Sequence, residues 1–127
     1  MDSKIKITTY VDTEKIHEES HIGTYISQLD SEKIIYKDKN NKKIEIFIDK
    51  IKESVSIEKD DSKMYLAYTK TSNDYSTQYG QMKLETQLVK ISKMAKNSFT
   101  LFEIVYNIYF GKNDKQQNKL KILVKNI

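Results

Sequence analysis

Apolar side chains recur at every second position in segment after segment of this chain. That period fits extended strands with one hidden face and excludes most other local structures. Near the start, Ile5, Ile7, Thr9 and Val11 share one face, while Lys4, Lys6, Thr8 and Tyr10 share the other. A longer segment runs to about Gln28, with Ile22, Thr24 and Ile26 in step and Gly23 placed where a long strand bends or bulges. Leu29-Asp30-Ser31-Glu32 reads as a turn, Ile34-Ile35-Tyr36 as a short strand, and Asp38-Lys39-Asn40-Asn41 as the next turn.

Alternating sets then follow at Ile44, Ile46 and Ile48, at Val55 and Ile57, and at Met64, Leu66 and Tyr68. Short strands separated so regularly by polar clusters predict a sandwich or barrel. Thr71-Ser72-Asn73-Asp74 reads as a loop, and Tyr75 to Ser92 as a long strand centred on Met82, Leu84, Thr86 and Leu88. Val89 and Ile91 continue on the opposite parity, which predicts a bulge near Leu88-Val89. The strongest segment is 98–110, with Phe102, Ile104, Tyr106, Ile108 and Phe110 on one face and Phe99, Leu101, Val105 and Tyr109 on the other. Gly111-Lys112-Asn113-Asp114 makes a turn, and Leu120, Ile122 and Val124 form a closing strand expected to pair with the first strand or its neighbour. There is no internal repeat, linker or amphipathic helix.

At 127 residues the chain has room for one core, so residues 1–127 are read as a single domain. All 22 basic residues are lysine, set against 18 acidic ones. Arginine is the side chain that reads base edges and stacks on bases, so its absence, with lysines scattered along the chain, argues against nucleic acid as a partner. There is no cysteine, and therefore no disulfide or thiol chemistry. No segment approaches the roughly 18 apolar residues of a membrane span, and the first residues have no signal-peptide core; a cytoplasmic protein without membrane contact is expected.

At Tyr75-Ser76-Thr77-Gln78-Tyr79-Gly80, followed by Met82-Lys83-Leu84-Glu85-Thr86, the chain resembles the YwiB-like family of bacterial proteins. Members of that family carry a Tyr-x-Thr-Pro-Tyr-Gly signature before a long alternating strand. The order of segments is similar over nearly the whole length, from the Lys-Ile-Lys-Ile start through Gly23-Thr24-Tyr25 to the closing Asn118-Lys119-Leu120-Lys121-Ile122. Tyr75, Thr77, Tyr79 and Gly80 match the signature, whereas Gln78 replaces a proline that would have fixed one dihedral and removed a donor. The resemblance implies a calycin-like, lipocalin-like antiparallel β-barrel of about eight to ten strands, and it implies no biochemical role.

His17-Glu18-Glu19-Ser20-His21 literally fits the H-E-x-x-H zinc-protease signature. That signature needs a helix. On a strand, at about 3.3 Å per residue, the two imidazoles lie about 13 Å apart, too far to share a metal. The motif is therefore read as a chance match on a strand face, and no catalytic residue, metal site or cofactor is assigned.

Nine tyrosines are the most suggestive feature, because a phenol joins apolar area to one hydrogen bond. If the barrel interior is incompletely filled, Leu84, Thr86, Phe102, Tyr106 and Tyr79 are the expected contacts of a small apolar ligand in or at the mouth of the barrel. The alternative is a homodimer or other protein–protein interface on the outer face of the 98–110 strand, using Phe99, Leu101, Val105 and Tyr109. Single-stranded nucleic acid ranks below both, and neither reading makes the chain an enzyme.

Overall fold

The computed structural model describes residues 2–59, 62–77, 80–110 and 114–126, without the side chains of residues 75–77, 81 and 82. Ten strands follow one another: β1 (Asp2–Val11), β2 (Glu14–Ser27), β3 (Ser31–Lys37), β4 (Lys43–Asp49), β5 (Ser54–Lys59), β6 (Ser62–Leu66), β7 (Thr71–Thr77), β8 (Gly80–Ala95), β9 (Phe99–Tyr109) and β10 (Lys115–Asn126). They form one antiparallel sheet in the order β6-β5-β4-β3-β2-β1-β10-β9-β8-β7. The closing strand pairs with the first one, as expected, with Ile5 opposite Val124 and Ile7 opposite Ile122. No helix among the described residues is long and apolar enough to cross a membrane.

Directly opposed residues point to the same side of a sheet, so register fixes which row of each strand faces inward. Ile5, Ile34, Ile46, Val55, Leu88, Phe102, Ile104 and Ile122 are all buried and form the centre of one core. In β2 the inward row differs from the apolar row of the sequence. His21 lies opposite Ile5 and Glu19 opposite Ile7, so His21, Gly23 and Tyr25 face inward, while Ile22 and Ile26 are exposed on the outer surface. Gly23 explains the choice of face. A Cβ there would stand 2.2 Å from the Ile35 carbonyl oxygen and 2.7 Å from Ile5 Cδ1, so only glycine lets β2 pass this closely between its neighbours.

Two further boundaries differ from the sequence reading. Ser31 and Glu32 open β3 rather than ending a turn, and residues 71–74 form the first part of β7. A third difference is that the segment from Tyr75 to Ser92, expected as one long strand, is divided between the end of β7 and β8, which pair antiparallel with Thr77 opposite Gly80. The expected bulge is present: register shifts between Leu88 and Lys90 where β8 meets β9. Leu88 and Ile91 both pack on the core, and the extra residue, Val89, is 44% exposed.

The two edge strands, β6 and β7, face each other and bring the sheet nearly to closure. Their seam is bridged largely by side chains. The Asn73 carboxamide accepts from Tyr65 N at 2.8 Å and donates to Tyr65 O at 3.1 Å. Thr86 Oγ1 accepts from Asn73 Nδ2 at 2.8 Å and donates to Tyr65 O at 3.3 Å. One main-chain bond adds to these, from Leu88 N to Ala67 O at 2.7 Å.

Candidate functional site

Strand lengths make the barrel uneven. β8 has 16 residues and β2 has 14, whereas β3 and β4 have 7 each, β5 has 6 and β6 has 5. Within the sheet, β2 pairs with β3 only from Gly23 to Ser27, so Glu14 to Ile22 pair with β1 alone. Similarly, β8 pairs with β9 only from Glu85 onward. At β2 the sheet therefore rises past β3, while residues 80–84 of β8 pass the end of β9 paired with β7 alone, and the inner surface between these two steps forms a one-sided mouth.

Apolar and polar groups share that inner surface. Leu84, Ile108 and Leu120 are half-buried, in contrast to the fully covered residues below them. Beside them Gln116 Nε2 donates to Asn118 Oδ1 at 2.7 Å, and Asn118 Nδ2 reaches the Tyr106 hydroxyl at 3.4 Å. On β2, Glu19 lies between the two histidines, with Oε2 2.8 Å from His17 Nε2 and Oε1 3.2 Å from His21 Nε2. The second contact lies off the hydrogen-bond direction, which leaves His21 Nε2 buried without a hydrogen-bond partner among the described residues. The His21 ring stacks on Tyr36 with centroids 4.8 Å apart. Burial, with the nearby charges of Glu19 and Asp38, pushes the Tyr36 phenol far above its usual range, so it stays a neutral donor.

The same geometry disposes of the helical zinc-protease arrangement. Residues 17–21 lie in β2, and Glu18 points outward, opposite Thr8, where it meets Lys15 at 3.1 Å and Lys6 at 3.4 Å. Hydrogen bonding from Lys15 leads the effects that hold its carboxyl below the ordinary range. The carboxylate beside the histidines is Glu19, two residues from each imidazole, and because both ring nitrogens reach it they lie closer together than the separation expected of a strand; it is the extended backbone that departs from the helical motif. Among the described residues, no group of three or more His, Asp or Glu side chains is arranged to hold a metal ion.

A second polar cluster closes the opposite end. The Glu32 carboxylate, 1% exposed, accepts from the Tyr25 hydroxyl at 2.8 Å, from Lys93 across the barrel, and from Lys50 at 3.0 Å. Burial alone would raise its pKa, but bonds from Lys93, Ser27, Tyr25 and Lys50 outweigh burial and hold it below the ordinary value. The bulge at Val89 is what turns Lys93 inward, opposite Phe102. Neither residue stands out in the sequence: Leu29-Asp30-Ser31-Glu32 reads as a turn, and Lys93 faces inward only because the bulge shifts the parity of β8.

The residues expected from the sequence to contact a ligand divide between roles. Leu84, Thr86, Phe102 and Tyr106 all face inward. Thr86 is committed to the seam, and Phe102 packs edge-on against Tyr25 at 5.9 Å. Leu84 is half-buried opposite Asn73, and Tyr106 is buried with its hydroxyl against Asn118 Nδ2. Tyr79 and Gln78 lie outside the described residues, and of Tyr75 and Thr77 only the backbone, in β7, is described. Gly80 has φ of +116° with open space where a Cβ would stand, so its requirement is conformational. On the outer face of β9, Phe99, Leu101, Val105 and Tyr109 are each half-buried. Tyr109 is covered by Lys70, whose Nζ sits 4.2 Å from the ring centre, and its hydroxyl donates to Gln87 at 2.9 Å.

No family model matches the chain, and no curated protein matches it. Its structure is similar to the crystal structure of the ywiB protein from Bacillus subtilis, with a TM-score of 0.77 and 12% sequence identity, over 99% of this chain and 92% of that one. The likeness establishes the fold, and at that level it bears out the resemblance read from residues 75–86.

Proposed function

We propose that the chain is a binding protein rather than an enzyme, and that it takes a small, mainly apolar ligand at the mouth of the barrel. The observation that carries this reading is the uneven wall. Because Glu14 to Ile22 run past β3, the inner surface bearing Leu84, Ile108 and Leu120 stays half-covered, and the same run of β2 carries a buried His21 nitrogen that has no hydrogen-bond partner among the described residues. Apolar surface with a few convergent polar groups is what a small-molecule site requires. Below the mouth Phe102, Ile104 and Leu88 fill the interior, which favours binding at the rim over deep enclosure.

Thermal-shift and native mass-spectrometric screening with medium-chain alcohols, fatty acids and aromatic carboxylates tests this reading. A responsive compound is expected to raise the melting temperature of the parent protein and to lose most of that effect in His21→Gln and in Ile108→Asn. A protein that is empty as isolated and unresponsive to all three classes would count against it.

A further inference from the structure

Lysines scattered along the sequence collect on one outer face of the barrel. Registered partners form a row across five neighbouring strands: Lys15 on β2, Tyr10 on β1, Lys119 on β10, Val105 on β9 and Lys90 on β8. Strands lie about 4.8 Å apart, so successive lysines of this row stand about 10 Å from one another, and Lys121 follows Lys119 along β10 at about 7 Å. The ammonium groups of Lys119 and Lys121 lie 5.0 and 5.6 Å from the centre of the Tyr10 ring. These residues, with Thr13, Val105 and Gln117, line a groove of about 220 Å³.

The charge of this face is only partly offset. Glu18 pairs with Lys6 and Lys15, and Glu103 with Lys121 at 3.7 Å, but Lys90 and Lys119 have no ion-pair partner among the described residues. Lys4, Lys115 and Lys125 extend the same outer surface. On the opposite wall Lys33 pairs with Glu45 and Lys63 with Glu58, while Lys37 and Lys43 stand opposite each other. The groove is also held by a fixed turn. Asp12 and Thr13 take φ of 48° and 73°, a conformation a β-branched residue rarely adopts, and Asp12 is tied to Gln117 through N to O at 2.9 Å and N to Oδ1 at 3.1 Å.

We propose that this face binds the phosphate backbone of a single-stranded nucleic acid, with a base stacking on Tyr10 in the groove. A row of cations beside an aromatic ring is the combination that single strands use, because every base has a face to stack and every nucleotide a charge to neutralise. Without arginine the face has no forked reader of base edges, so binding is tolerant of sequence and strongly salt-dependent. The ring is recessed among lysines rather than carried on a protruding apolar tip, which favours a strand over a lipid surface. This inference is independent of the ligand assigned to the mouth.

Fluorescence anisotropy of a labelled thymidine oligomer, titrated with the full chain at low and at physiological salt, tests it. Binding is expected to fall steeply with salt, to weaken about tenfold or more in the Lys90→Glu, Lys119→Glu double variant, and to weaken several-fold in Tyr10→Leu. The Lys33→Glu, Lys63→Glu variant of the opposite wall is expected to bind as the parent does. Circular dichroism melts establish that each variant is folded, and the charge and ring variants provide separate readings. No binding at low salt, equal loss in the opposite-wall variant, or retention by phosphatidylglycerol vesicles without binding to the oligomer would each overturn the proposal.

Discussion

The side-chain amide of Asn73 stands in for a peptide group opposite Tyr65, accepting from its N–H at 2.8 Å and donating to its carbonyl at 3.1 Å. This pairing joins the two edges of the sheet, where unpaired strand groups would otherwise invite association with other chains. Asn73 is buried, so no water replaces the lost partners readily. Asn73→Ala is therefore expected to destabilise the fold by about 2–3 kcal/mol. Hydrogen exchange should accelerate at the Tyr65 amide and leave the β1–β10 ladder protected; unchanged exchange at Tyr65 would show that the seam is held otherwise.

Glu32 and Lys93 make stability depend on acid. The Glu32 carboxyl is held below its unfolded value, so its contribution is fully present above the unfolded pKa of about 4.5 and is lost as pH falls through the lower folded value. Denaturant melts from pH 7 down to pH 3 are expected to show a loss that is smaller in Glu32→Gln. Lys93→Met, which leaves part of a buried carboxylate unmatched, should cost about 1–3 kcal/mol at pH 7. A parent and a Glu32→Gln variant with parallel pH profiles would remove Glu32 as the source.

Much of the fold was legible because alternation survives even where composition is polar. The inward rows of β1, β8, β9 and β10 follow from Ile5, Leu88, Phe102 and Ile122 alone. The seam was not legible, because Thr71-Ser72-Asn73-Asp74 looks like a loop unless one sees that Asn73 is bonding a backbone across a gap. β2 misled for a different reason: its isoleucines are outside, and the close approach at Gly23, not hydrophobicity, decides which row turns inward. The basic face was hidden too, since register rather than sequence proximity aligns Lys15, Lys119 and Lys90. Of the candidate site, Leu84 and Tyr106 were readable from parity, whereas His21 and Glu19 were obscured by the zinc-like motif in which they sit.

Gly23 should tolerate no side chain. The added methyl in Gly23→Ala would meet the Ile35 carbonyl oxygen at 2.2 Å, a backbone atom that cannot swing away. A loss of about 2–3 kcal/mol in urea unfolding is expected, and a loss below about 0.5 kcal/mol would mean that β2 and β3 separate more easily than this packing implies.

At Val89 neither the side chain nor the extra residue itself is needed to keep the inward row. Val89→Thr, at an exposed position, should change stability by no more than about 0.5 kcal/mol. Deleting Val89 restores strict alternation with Leu88 still opposite Tyr106, Ile91 opposite Ile104 and Lys93 opposite Phe102, so the shortened chain is expected to fold with a urea midpoint close to that of the parent. A deletion that unfolds the protein would show that the local twist of the bulge is needed to close the sheet.

The most direct test of the binding role follows methyl and imidazole NMR signals during titration with decanol or decanoate. A ligand held at the mouth predicts saturable shifts for the Leu84, Ile108 and Leu120 methyls and for the His21 ring, with the Ile5 and Ile34 methyls of the deep core unmoved. Shifts confined to the outer surface, or none at millimolar ligand, would contradict it.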